Sequence, residues 1–125
     1  MEKKLTAQQL IDLVHSSTPL TEDNYPALAQ LSGDPRQNFL VGHSLRHLSK
    51  SVGKMHAFVE NAEHGGELKK EEIKEKIIAS CFSLCKLCAI LDISGNDLVE
   101  SIAKMAEKEM EMENFRREEG RMDMG

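Results

Sequence analysis

The chain has 125 residues, about the size of one domain, and is long enough to bury an apolar core without disulfides or a structural metal. Its formal net charge of −5 argues against nonspecific DNA binding, which needs a broad basic footprint. With 40% hydrophobic residues, only 4% aromatics and no Trp, the composition favours helices over a β-sandwich.

No stretch approaches the roughly 18 apolar residues of a membrane span, so a membrane partner is not expected. The opening MEKKLTAQQL lacks the apolar run of a signal peptide. The three cysteines, Cys81, Cys85 and Cys88, fall close together in an odd count that does not resemble a secreted disulfide framework. Together these features place the expected location in a reducing cytoplasm.

In chain order, LTAQQLIDLVH over residues 5–15 sets Leu10, Ile11, Leu13 and Val14 at helical spacings, with Thr6 able to cap the start. A turn at SSTPLTEDN follows. Tyr25 to Leu31 is then a short helical or irregular piece interrupted by Pro26 and ended by Gly33. Asp34-Pro35 signals a helix start: Asp caps free amides, and Pro suits the first helical position.

From there Val41, Leu45, Leu48, Val52, Met55 and Val59 alternate steps of four and three, the spacing of one seam facing a neighbouring helix. This helix should end near Asn61, before Gly65-Gly66. The next is expected from about Leu68 to Leu91, with Ile73, Ile77, Leu84 and Leu91 on one side and the cysteines among its apolar residues. Ser94 and Asp97 resemble a capping box opening a last helix through Leu98, Val99, Ile102, Met105 and Ala106. Beyond it the chain is charged and flecked with Met.

The expected division is an N-terminal helical segment (1–33), a helical core (34–108) and a disordered tail (109–125). The fold class is all-α, an antiparallel bundle of about four helices, completed by dimerisation into a homo-oligomer.

On a helical wheel of about 100° per residue, His43, Arg46, His47, Lys50 and Lys54 gather opposite the apolar seam, with Ser51 at its edge. Cations on adjacent turns form a receptor for phosphate or carboxylate. The plain alternative is a solvated polar face, for which Lys is the ordinary filler.

His43 and His47, four residues apart, can share a metal, but no Glu follows the first His as in the zinc-protease pattern. Cys85-x-x-Cys88 lies inside an apolar helix, where buried packing is the leading reading. A Cys–His zinc site joining the two helices is the sharper alternative. Nothing activates Ser44, Ser49, Ser51 or Ser83 as a nucleophile, and Gly65-Gly66 is a turn rather than a phosphate loop.

Three landmarks over roughly residues 39–108 resemble the MazG-like all-α nucleoside triphosphate pyrophosphohydrolases. KSVGKMHAFVE is similar in pattern to that family's EExGExxEA segment. EEIKEKIIASCFSLCKLCAIL is placed like its ELADVLIYLLRLA-type helix, and LDISGNDLVESIAKM looks like its LGIDLEEAVLEKL ending. The resemblance implies Mg²⁺-assisted phosphoanhydride hydrolysis, with carboxylates on two antiparallel helices holding the cations.

Carried over residue by residue, the three acids of the first helix fall on Lys50, Ser51 and Lys54, and the Glu and Asp of the second fall on Lys76 and Ala79. A lysine about 4 Å from a dication's seat costs about 4 kcal/mol per unit-charge pair at an effective dielectric near 20. The resemblance therefore leads to an expected MazG-like protein without ordinary Mg²⁺-dependent hydrolysis. Its cationic stripe (His43, Arg46, His47, Lys50, Ser51, Lys54) would hold a nucleotide or other phosphate-bearing ligand, with no cofactor.

Two alternatives stand beside it. One is an active, divergent pyrophosphohydrolase using Mg²⁺ on a relocated cluster of Glu60, Glu63, Glu72 and Glu75. The other is a helical oligomerisation module with no small ligand.

Overall fold

A computed structural model describes residues 4–124, with side chains described through residue 121. Among these residues the fold is all-α, with four helices and no strand. The helices are α1 (Ala7–Ser17), α2 (Gly33–Glu63), α3 (Lys70–Ile90) and α4 (Gly95–Met124), and a short 3₁₀ helix (Pro26–Gln30) lies between α1 and α2.

Local chemistry sets the ends of these rods. Thr6 closes a reciprocal capping box at α1: its hydroxyl accepts from the Gln9 N–H at 3.1 Å, and its own N–H donates to Gln9 Oε1 at 2.9 Å. At α2 the start differs from expectation. The helix opens at Gly33 after Ser32, no side chain caps it, and Asp34 sits inside the first turn. There its charge meets the positive end of the helix dipole instead of a single amide.

The α2 C-terminus runs two residues past Asn61, to Glu63. Gly65, at φ +99°, lets the Gly65 and Gly66 N–H groups turn back onto the carbonyls of Ala62 and Asn61. The same motif ends α3, with Asp92 in the left-handed position at φ 56°: the Ile93 N–H donates to the Cys88 carbonyl at 2.8 Å. Ser94 then caps α4, accepting from the Asp97 N–H at 3.1 Å, as its spacing predicts.

The principal packing is α2 against α3, an antiparallel pair joined by a short turn, with α1 lying across α3 and the start of α4. The core is small. Ile11 and Val14 of α1, Leu28 of the 3₁₀ helix, and Leu87 and Cys88 of α3 are buried, Leu28 completely. Arg36 ties the connecting segment to α2, donating to the Leu28 carbonyl at 3.2 Å and the Leu20 carbonyl at 3.5 Å.

The face α2 turns to α3 is not the expected seam. Ser44, Leu48, Ser51, Met55, Phe58 and Ala62 are the more buried positions, again in alternating steps of four and three. Leu48 and Met55 belong to both sets, but Leu45, Val52 and Val59 remain 46%, 37% and 42% exposed. On α3 the buried stripe is Ile73, Lys76, Ser80, Ser83, Leu87 and Ile90. The expected Ile77 and Leu84 are 50% and 47% exposed, and Leu91 is also exposed. The faces the two helices turn to each other include small buried serines, Ser44 on α2 and Ser80 and Ser83 on α3.

The segment expected to be a disordered tail is helical in the structure, since α4 is unbroken through Met124. Its Glu, Lys, Arg and Met are strong helix formers, and the Glu113 carboxylate forms ion pairs with both Arg116 (3.6 Å) and Arg117 (3.5 Å) on the next turn. Every residue from Val99 to Arg121 is nevertheless exposed, so past its first turn this stretch of the helix is covered by none of the other described residues. Residue 125 of the predicted tail lies outside the described residues.

Candidate functional site

The rotated seam places the cationic stripe beside α3 rather than on the far side of α2. His43, His47, Lys50 and Lys54 of α2, with Ser44 and Ser51 beneath them, face Lys76, Phe82, Ser83 and Lys86 of α3 across a cavity of about 300 Å³. Of these lining residues none is acidic. Arg46 lies just outside, in a shallow depression it shares with His43, His47 and Lys50. Every residue expected in the phosphate-binding stripe therefore lies in or next to one groove.

Two aromatic rings flank His43. The Tyr25 ring meets it edge-on with centroids 4.9 Å apart, and Phe39 stacks on it at 6.2 Å. His43 and His47 are also in contact, Nε2 to Nε2, at 3.2 Å. Lys86 reaches across from α3 and donates to Tyr25 Oη at 3.3 Å. Its ammonium group lies 5.9 Å from the Tyr25 centroid and 5.7 Å from the Phe82 centroid. The Tyr25 hydroxyl and the neighbouring Phe82 ring hold the head group in place without neutralising it.

Burial, and then the charges of His47, Lys86 and Arg46, hold the His43 imidazole below its ordinary pKa. Net positive potential fills the groove, so an entering anion gains from several cations at once. An entering dication meets only repulsion.

The alternative acidic cluster is not assembled. Glu72 and Glu75 reach a second hollow with Lys54, Lys76, Ala57 and Phe58, which Glu60 and Glu63 do not line. Glu72 pairs with Lys69 at 3.8 Å. Among the described residues no group of three or more His, Cys, Asp or Glu side chains is placed to hold a metal. This covers the Cys–His zinc site as well: Cys81 is exposed, Cys85 half-buried and Cys88 buried within α3. Burial raises the thiol pKa of both Cys85 and Cys88.

Sequence reasoning did not select Lys86, Phe82, Ser83 or Tyr25 for the site. Lys86 carried a usable signal, as a lone ammonium in the apolar run LCKLC. Tyr25 carried none, because its place depends on how the connecting segment folds back. No single described helix is long and apolar enough to cross a membrane. No family model, curated protein or solved structure matches the chain.

Proposed function

We propose that this protein binds a phosphate-bearing ligand, a nucleotide or short polyphosphate, in the groove between α2 and α3, and that it does so without Mg²⁺-dependent hydrolysis. One observation carries the proposal: four lysines and two histidines line the cavity with no carboxylate among them. Direct ammonium and imidazolium contacts take the place that hard cations occupy in metal-dependent phosphate sites. From His43 to Lys54 the stripe runs about 16 Å at about 1.5 Å per residue, enough for more than one phosphate group.

The proposed ancestry is a MazG-like helical scaffold whose acidic positions have become Lys50, Ser51, Lys54, Lys76 and Ala79. It rests on the three sequence landmarks over residues 39–108. The proposed working form is a homo-oligomer in the cytoplasm. Its support is the amount of apolar surface one chain leaves open, including Ile77, Ile78 and Leu84 on α3 and Val99, Ile102 and Met105 on α4.

A thermal-shift screen of nucleotides and polyphosphates, with and without divalent metal, tests the reading. Ligand bound to the native state raises its apparent stability. The expected result is stabilisation that persists in EDTA and is lost in a Lys50→Ala, Lys54→Ala double variant. Robust metal-dependent release of pyrophosphate, sensitive to Glu72→Ala or Glu75→Ala, would overturn it.

A further inference from the structure

The histidine pair on the α2 side of the groove is more than extra positive charge. With Nε2 atoms 3.2 Å apart, one ring donates and the other accepts. A single added proton fits this geometry, because it can go to the outward nitrogen of the donor ring and strengthen the bond between them. A second proton does not, since it would set two N–H groups against each other.

Among the described residues, the groups found beside the pair are cationic or neutral. Arg46 and Lys50 flank it on α2, Lys86 comes from α3, and the rings of Tyr25 and Phe39 lie against His43. In the empty groove those cations oppose protonation. An anion beside them reverses the balance.

Building on the phosphate-binding reading, we infer that His43 and His47 act as one proton-accepting unit that takes up a single proton when a doubly charged oxyanion enters the groove. The pair thereby favours ligands with a terminal dianionic phosphate over singly charged diesters, and makes binding tighter as pH falls. The lowered basicity of His43, from burial and the neighbouring cations, agrees with this, since it leaves that ring able to accept a proton once an anion offsets those charges. Where the empty unit is neutral and the bound one charged, affinity rises by up to about tenfold per pH unit of acidification.

Sulfate is the suitable probe, because it stays doubly charged across the histidine range and contributes no titration of its own. Ring resonances of the five histidines are followed by NMR from about pH 8 to about pH 5, in sulfate and in chloride at equal ionic strength. The expected result is that sulfate raises the midpoint of the His43–His47 pair by about one pH unit, a tenfold change in proton affinity. The midpoints of His15, His56 and His64, which lie outside the cavity, stay in place. His47→Gln, at an exposed position, should keep the fold and abolish the selective rise at His43.

Equal movement of all five midpoints would mean simple screening and overturn the inference. So would groove amide shifts with sulfate but no histidine response, which would leave the phosphate-binding reading standing. Groove resonances that ignore both sulfate and tripolyphosphate would remove both.

Discussion

At the scale of single residues, two backbone positions carry the sharpest consequences. Asp92 occupies the left-handed region at φ 56°, where a Cβ costs about 1–2 kcal/mol, and it does so to end α3. Asp92→Gly is expected to raise stability by about 0.5–1 kcal/mol after the greater freedom of glycine in the unfolded chain is counted, as read by urea unfolding. Gly95 is the opposite case. Its N–H donates to Gln8 Oε1 at 2.7 Å, and a Cβ there would collide with the backbone of Ala7 and Gln8. Gly95→Ala should cost about 2–3 kcal/mol by the same measurement, because the close approach of α4 to α1 cannot relax around it.

At the scale of helices, α3 separates its three cysteines by environment. Burial raises the thiol pKa of Cys88, and burial with its thiol neighbours raises that of Cys85, so both hold less reactive thiolate at neutral pH. Cys88 is expected to resist iodoacetamide until the protein unfolds, and mass spectrometry should find the label first on exposed Cys81. Equal labelling of Cys81 and Cys88 in the native state would contradict the packing of α3 against α1.

The helices themselves were legible in the sequence, since Thr6, Ser94 and Gly65-Gly66 mark ends by local chemistry. Their rotation was not. Leu45, Val52 and Val59 make a more hydrophobic stripe on α2 than Ser44, Ser51 and Ala62, yet it is the smaller, more polar set that faces α3. A hydrophobicity pattern ranks faces by apolarity, so it does not select a face whose serines line a cationic groove. The same limit explains the site. The α2 half was legible as a cationic stripe, whereas Lys86 and Tyr25 join it only through the pairing with α3 and the fold-back of the connecting segment. In the tail the same residues carry two signals: their charge suggests disorder, while Glu, Lys, Arg and Met also sustain the exposed helix that the structure has there.

At the scale of the whole molecule, a small core stands beside extensive open apolar surface on α3 and α4. Self-association is the proposed consequence, and it is expected to involve the stripe of Ile77, Cys81 and Leu84. Analytical ultracentrifugation should find a species larger than one chain for the wild type and a smaller one for Ile77→Glu. Cys81 labelling should slow as protein concentration rises while Cys88 stays protected throughout. A monomer at all concentrations would contradict this proposal and leave the groove untouched, because the groove is built from α2 and α3 of one chain with Tyr25 at its end.

The most direct measurement is a calorimetric titration of tripolyphosphate into the metal-free protein in EDTA, repeated with Lys50→Glu. The groove predicts binding without any divalent cation, weakened at least about tenfold by that single charge reversal. Binding that appears only when Mg²⁺ is added, or that Lys50→Glu leaves unchanged, would contradict it.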